Sequence, residues 1–178
     1  MVIIMNSHIR ADNGSSSGKL SVRELCLLSI MAALIFSSKV ALSFLPNIHL
    51  NALLIILTTL HFRWKALYSV AVYIILEGLF YGFNIWWVSY LYVWPLLVVA
   101  VMLMRNNTSV VIWAVLAGVY GLLFGPLMYI GYFLLLGGWS GFLPMWVAGI
   151  PYDITHAIAN FFIVLVLFKP LSKVMDRI

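Results

Sequence analysis

The chain is predicted to be all-α: a polytopic membrane protein, a six-transmembrane-helix bundle with both termini cytoplasmic. Three observations predict it. Apolar residues make up 65% of the 178 and charged residues only 8%, whereas a soluble domain is about a quarter charged. Six apolar runs fill almost the whole chain, and nine of its ten Lys and Arg residues fall where cytoplasmic loops or tails and a charged hairpin would lie. Lipid is therefore the expected solvent, and the mean hydropathy of +1.10 agrees.

Residues 1–22 are polar, and Asn13-Gly14-Ser15-Ser16-Ser17-Gly18 within them reads as a flexible cytoplasmic tail. The opening Val2-Ile3-Ile4-Met5 is too short for a signal-peptide core, so no cleaved segment is expected. A spanning helix needs about 20 apolar residues at about 1.5 Å each. On that basis helices are expected near 24–45, 48–62, 65–83, 87–104, 109–133 and 144–169, within a transmembrane domain covering 23–171. The second run is short, bounded by Pro46-Asn47 before it and by His61 to Lys65 after it. Residues 172–178 form a short cytoplasmic tail. Cys26 lies alone in the first run, which excludes an internal disulfide and multi-cysteine metal sites and leaves it a packing role.

Orientation follows from the cations. Arg10, Lys19, Arg23, Arg63, Lys65, Arg105, Lys169, Lys173 and Arg177 all fall on one side of a six-span arrangement, the cytoplasmic side. The opposite loops, around Leu45–Asn47, Asn84–Trp87 and Leu135–Leu143, contain no Lys or Arg and are rich in Trp, Tyr and Gly. They suit an interfacial aromatic belt or a lid over a site. The net charge of +5 is spread in ones and twos at segment ends, so no nucleic-acid partner is expected.

Small residues recur at four-residue spacing in two helices. Ser29, Ala33, Ser37 and Ala41 form one stripe, and Ala117, Gly121 and Gly125 another. In lipid such stripes permit close backbone approach. The glycine stripe fits packing inside the bundle; periodicity leaves open whether the first stripe faces inward or meets a partner's helices.

Four ionisable residues remain inside apolar runs: Lys39, Glu77, Asp153 and His156. Such groups are costly in lipid and mark function or pairing. Lys39 lies about 21 Å along its helix from Leu25, and Glu77 about 18 Å from Lys65. Asp153 is some nine residues into an inward-running helix. All three fall in the outer half of the membrane, where Lys39 is able to pair with either carboxylate. Asp153, His156 and Asn160 are spaced by three and four residues and share one polar face, read as a pocket wall. Pro151 just before them suits a first helical turn or a kink.

Enzymatic signatures are weak, and no catalytic activity, cofactor or metal site is expected. Gly138-Trp139-Ser140-Gly141 matches the GxSG pattern of rhomboid intramembrane serine proteases, with His156 as the candidate base. Here, however, Ser140 leads straight into the helix that carries His156. Tyr152-Asp153 is not followed by GxGD, and HExxH and Walker A patterns are absent. A self-contained secondary transporter is an alternative, although DxxHxxxN has no counterpart in the third helix.

Over nearly its full length the chain resembles the substrate-binding S components of energy-coupling factor (ECF) transporters. The likeness rests on size, six helices, the Ala33-Ser37-Ala41 stripe, the run Leu76-Glu77-Gly78-Leu79-Phe80-Tyr81-Gly82-Phe83 and the closing segment from Gly149 to Asn160. That resemblance implies a prokaryotic plasma-membrane receptor. It would capture a vitamin or related micronutrient outside and deliver it with a transmembrane T component and two ABC-type ATPases. It implies that Ala33 and Ala41 contact the T component, with Ser37 replacing the alanine of the usual AxxxA spelling. It further implies a lid near Phe44 to Asn51 offering Asn47 and His49. The implied pocket walls draw on Trp86, Trp87, Tyr90, Tyr92, Trp94, Asp153, His156 and Asn160.

Overall fold

A computed structural model describes residues 20–136 and 138–177. Nearly all of the polar N-terminal tail predicted over 1–22 lies outside the described residues. The described chain is helical without strands, with six α-helices: α1 (Val22–Ala41), α2 (Asn51–Phe62), α3 (Ala66–Tyr81), α4 (Ile85–Leu103), α5 (Val110–Leu136) and α6 (Trp139–Met175). Among the described residues, five stretches are long and apolar enough to cross a membrane, one of them the combined run Asn51–Tyr81.

α1 opens with a capping box. The Glu24 amide donates to Ser21 Oγ at 3.2 Å, and the Ser21 amide donates to Glu24 Oε2 at 3.0 Å, so two amides that the first turn leaves free are satisfied. The helix stops at Ala41 rather than running to residue 45. Pro46 disfavours helical backbone at the residue before it, and Asn47 takes a left-handed φ of 58°, which Asn tolerates better than most residues. Residues 42–50 thus become a loop. Cys26 is exposed on the outer face of α1 instead of packing inside the bundle.

α2 is the innermost element. Asn51 through Thr59 are all buried, and Thr58 and Thr59 hide their hydroxyls by donating to the Leu54 and Ile55 carbonyls at 2.7 Å. Its 12 residues span about 18 Å, short of a hydrocarbon core of about 30 Å. The chain then reverses at Arg63, whose φ is 54°, through a single 3₁₀ turn over Arg63–Lys65. The reversal brings Asn51 Nδ2 to the Tyr73 hydroxyl at 2.7 Å.

α1 and α3 lie parallel, joined from end to end by Lys65 Nζ to Glu24 Oε1 at 2.6 Å, Ser69 Oγ to the Leu28 carbonyl at 2.7 Å and the Lys39–Glu77 ion pair. α5 and α6 form a long antiparallel hairpin. The sequence places a loop over Leu135–Leu143, but α5 reaches Leu136 and α6 starts at Trp139. Gly138, at φ 61°, makes the turn, and its amide donates to the Phe133 carbonyl at 3.1 Å. Phe133, Trp139 and Phe142 pack together across it, with ring centroids 5.1–6.2 Å apart. Pro144 and Pro151 consequently sit within α6 and not in its first turn. At the other end α6 continues to Met175, past the boundary expected at 171.

Arg105 and Asp176 line one groove with His61, and His61 lines another with Leu27 and Met175. The start of α1, the α2–α3 turn, the α4–α5 turn and the end of α6 therefore share one end of the bundle. Every described Lys and Arg except Lys39 belongs to that end. The outward faces carry exposed apolar side chains, among them Leu34, Val72, Leu91, Val115, Ile158 and Val166. Soluble proteins rarely expose so continuous an apolar surface, and it is compatible with a multi-pass membrane protein.

Glycines set the α5–α6 spacing. A Cβ at Gly121 would lie 2.9 Å from backbone atoms of His156 and Ala157, whereas one at Gly118 would meet Ala157 O and Phe161 Cβ at an ordinary 3.4 Å. Gly121→Ala is expected to lose about 1–3 kcal/mol by overpacking, while Gly118→Ala is neutral or gains up to about 1 kcal/mol from better helix propensity. Thermal unfolding of both variants in one detergent checks the order; equal melting temperatures would contradict this packing.

Candidate ligand-binding site

At the end opposite the cations, a cavity of about 530 Å³ opens between the 42–50 loop and four helices. Lys39 from α1, Glu77 and Tyr81 from α3, Trp86 and Tyr90 from α4, and Phe124 and Met128 from α5 line it; Asn47 and His49 come from the loop. This volume falls in the range of small-molecule sites, and so does the mixture of aromatic walls with a few polar groups.

Its electrostatic centre is the ion pair between Lys39 Nζ and Glu77 Oε2. Lys39 Nζ also donates to the Tyr90 hydroxyl at 3.2 Å. Its ammonium stands 5.2 Å from the ring centroids of Tyr81 and Tyr90 and 6.0 Å from that of Trp86, so three aromatic faces share the charge. Glu77 is wholly buried, and its second oxygen, Oε1, has no partner within the protein. His49 Nδ1 is likewise buried without one. Burial first, then the neighbouring His156 and Lys39, hold the His49 imidazole down at about 3, so it is neutral at pH 7.

A floor of rings supports the cavity. Trp94 is fully buried and packs against Tyr73, Tyr90, Tyr120 and Phe124 at centroid distances of 5.4–6.0 Å. α4 is tied to α5 by Ser89 Oγ donating to the Met128 carbonyl at 2.8 Å and by the Tyr92 hydroxyl donating to that of Leu127 at 2.6 Å. These bonds position Phe124 and Met128.

A second cavity of about 280 Å³ is lined by Tyr129, Tyr132, Gly149, Tyr152 and Asp153, and shares Asn47, Trp86, Phe124 and Met128 with the first. Asp153 Oδ1 accepts the Gly125 amide at 3.0 Å; Oδ2 has no partner within the protein.

The twelve residues that the sequence proposes for ligand binding thus separate, with Tyr92 tying α4 to α5 and lining neither cavity. Lys39, Asn47, His49, Glu77, Trp86 and Tyr90 converge on the larger cavity, and Asp153 reaches the smaller. Trp94 is floor, beneath the wall. Trp87 turns away and donates its Nε1 hydrogen to the Ile74 carbonyl at 2.8 Å. His156 packs edge-on against His49 and Phe124, and Asn160 Nδ2 sits 3.4 Å from the Ala117 carbonyl inside the α5–α6 contact. The polar face of α6 is therefore mostly a helix-packing face, with Asp153 at its open end. Lys39 pairs with Glu77, not Asp153. Tyr81, Phe124, Met128 and Tyr129 line the cavities without having been singled out. Tyr81, one helical turn past Glu77 at i+4, was within reach of the spacing rule.

Ser140 and His156 occupy one helix, sixteen residues or about 24 Å apart along its axis, which leaves the serine without that histidine as its base. No protein-family model, curated protein or solved structure matches the chain. Over the described residues, fold and site define an all-helical protein with five membrane-length apolar stretches and a polar-aromatic cavity at its cation-poor end.

The ion pair predicts an asymmetry. Lys39→Met strands the buried Glu77 carboxylate and is expected to cost about 3 kcal/mol; Glu77→Gln leaves Lys39, partly open to the cavity, and costs less. Lys39→Met/Glu77→Gln recovers part of the loss. Thermal melts of the three variants check this, and a Glu77→Gln that melts lower than Lys39→Met would contradict it.

Proposed function

We propose that the chain is the substrate-specific S component of an ECF-type ABC importer. In this reading it crosses the membrane six times, with both termini and all basic turns in the cytoplasm. The cavity opens to the extracellular side, as the positive-inside rule requires of the cation-poor end. α2 then completes the second crossing as a short internal helix, shielded from lipid by its neighbours. The observation that carries the reading is the cavity itself: an aromatic chamber beneath the 42–50 loop, at whose centre the buried Glu77 keeps one carboxylate oxygen without a partner. A buried acceptor left unpaired is costly, and a bound micronutrient offering a donor removes that cost. The loop has the place and composition of a lid, and it contributes Asn47 and His49 to the cavity lining.

The surface of α1 supports the partner assignment. Ser29, Ala33, Ser37 and Ala41 are all exposed, while Leu28, Met31, Ala32 and Ile35 face the core. Ser29 Oγ donates to the Leu25 carbonyl at 2.8 Å and Ser37 Oγ to that of Leu34 at 3.4 Å, so the stripe presents small side chains with their polar groups turned back on the helix. It is a surface against which a T component's helices can approach closely. With no nucleotide-binding loop in the sequence, transport energy comes from the two ATPases of the complex.

The testing experiment is mass spectrometry of small molecules extracted from gently purified protein, beside Glu77→Gln/Trp86→Ala material. A vitamin-like compound enriched in the unmutated sample alone is the expected result. Equal amounts of every extracted compound in both samples would contradict a receptor. For the partner face, Ala33→Leu/Ala41→Leu is expected to abolish co-purification with a co-expressed T component and ATPases while leaving the extracted ligand in place; undiminished assembly would remove the stripe from the interface.

A further inference from the structure

The two cavities at the cation-poor end adjoin one another across four shared lining residues, Asn47, Trp86, Phe124 and Met128, as two neighbouring lobes. Their charges differ. In the larger lobe Lys39 and Glu77 neutralise one another, and the ammonium is further occupied by the Tyr90 hydroxyl and three rings. In the smaller lobe Asp153 stands without a cation. Only 6% of its surface is exposed, Oδ1 holds the Gly125 amide, and Oδ2 has no partner within the protein. Its remaining polar neighbours are the neutral Tyr129, Tyr132, Tyr152 and Asn47. With His49 neutral, the formal charges of the chamber, one ammonium against two carboxylates, leave it one negative charge in excess.

From this imbalance we infer that the chamber takes an elongated organic monocation, its positive group at Asp153 and a neutral hydrogen-bonding ring at the Lys39–Glu77 end. The division of labour follows from the geometry. Glu77 Oε1 accepts from a donor on the ring, and Lys39 repels a second positive charge from the larger lobe, so the cation is directed to Asp153. Trp86, common to both lobes, supplies a face for the ring or for the cation beside it. An anion meets the opposite situation, since its one available counter-charge is already paired. The inference rests on reading the cavity as a ligand site, and it adds the charge class of the ligand.

The test uses three probes that share a ring and differ in charge: benzylammonium, benzyl alcohol and benzoate. Each is titrated into ligand-stripped full-length protein in nanodiscs while tryptophan fluorescence is followed. Benzylammonium is expected to bind at least about tenfold tighter than benzyl alcohol, a gap of about 1.4 kcal/mol, with benzoate weakest. Asp153→Asn is expected to erase the preference and Asp153→Glu to retain it. Three equal affinities, a preference for benzoate, or no binding of any probe would overturn the inference, and none of these needs a variant to fold. The receptor reading fails separately: an anionic compound found in the extraction experiment would sink the charge inference and leave the receptor standing. A cation-selective chamber in protein that yields no specific extracted compound would do the reverse.

Discussion

The Lys39–Glu77 ion pair is the interaction around which the cation-poor half of the bundle is organised. A charge exposed to hydrocarbon costs several kcal/mol, so the ammonium at the end of α1 and the carboxylate near the end of α3 hold those helices side by side. Tyr81, Trp86 and Tyr90 then surround the ammonium, which fixes where α4 begins relative to α3. The pair does not fill the space it creates. Its carboxylate oxygen Oε1 has no partner within the protein, and the larger cavity lies against the pair.

The second organising device is the close approach of α5 and α6. Gly121 admits the backbone of α6 at His156 and Ala157, and Gly125 admits the Asp153 carboxylate itself. A side chain at residue 125 would occupy the space the carboxylate holds. Glycine packing, ordinarily a matter of helix association, here also sets the depth of a charged group. It keeps Asp153 in the wall of the smaller lobe and draws His156 and Asn160 into the contact.

Much of this was legible in the sequence. Composition and the distribution of Lys and Arg gave the helical fold, and depth along the helices brought Lys39 and Glu77 to one level before any contact was known. The three-and-four spacing put Asp153, His156 and Asn160 on one buried face. What that face meets was not legible, because spacing identifies a shared face without identifying its neighbour. The glycine stripe of α5 was read as a packing surface, but its apposition to the polar stripe of α6 is a tertiary fact. The same limit separates Trp86, Trp87 and Trp94: residues 86, 90 and 94 follow one face down α4 from wall to floor, and Trp87 falls on the adjoining one. α6 starts earlier than the expected residue 144 because aromatic packing across Gly138 carries the helix back to Trp139, a tertiary contact that apolar run length does not show.

The proposed receptor role requires the chamber around Glu77 to hold a small molecule. An experimental structure of protein purified from its native membrane tests this most directly. Density is expected for a discrete organic molecule against Trp86, within hydrogen-bonding distance of Glu77 Oε1 and beneath an ordered 42–50 loop. A chamber closed by its own side chains, with Glu77 Oε1 bonded to another group of the protein, would contradict it.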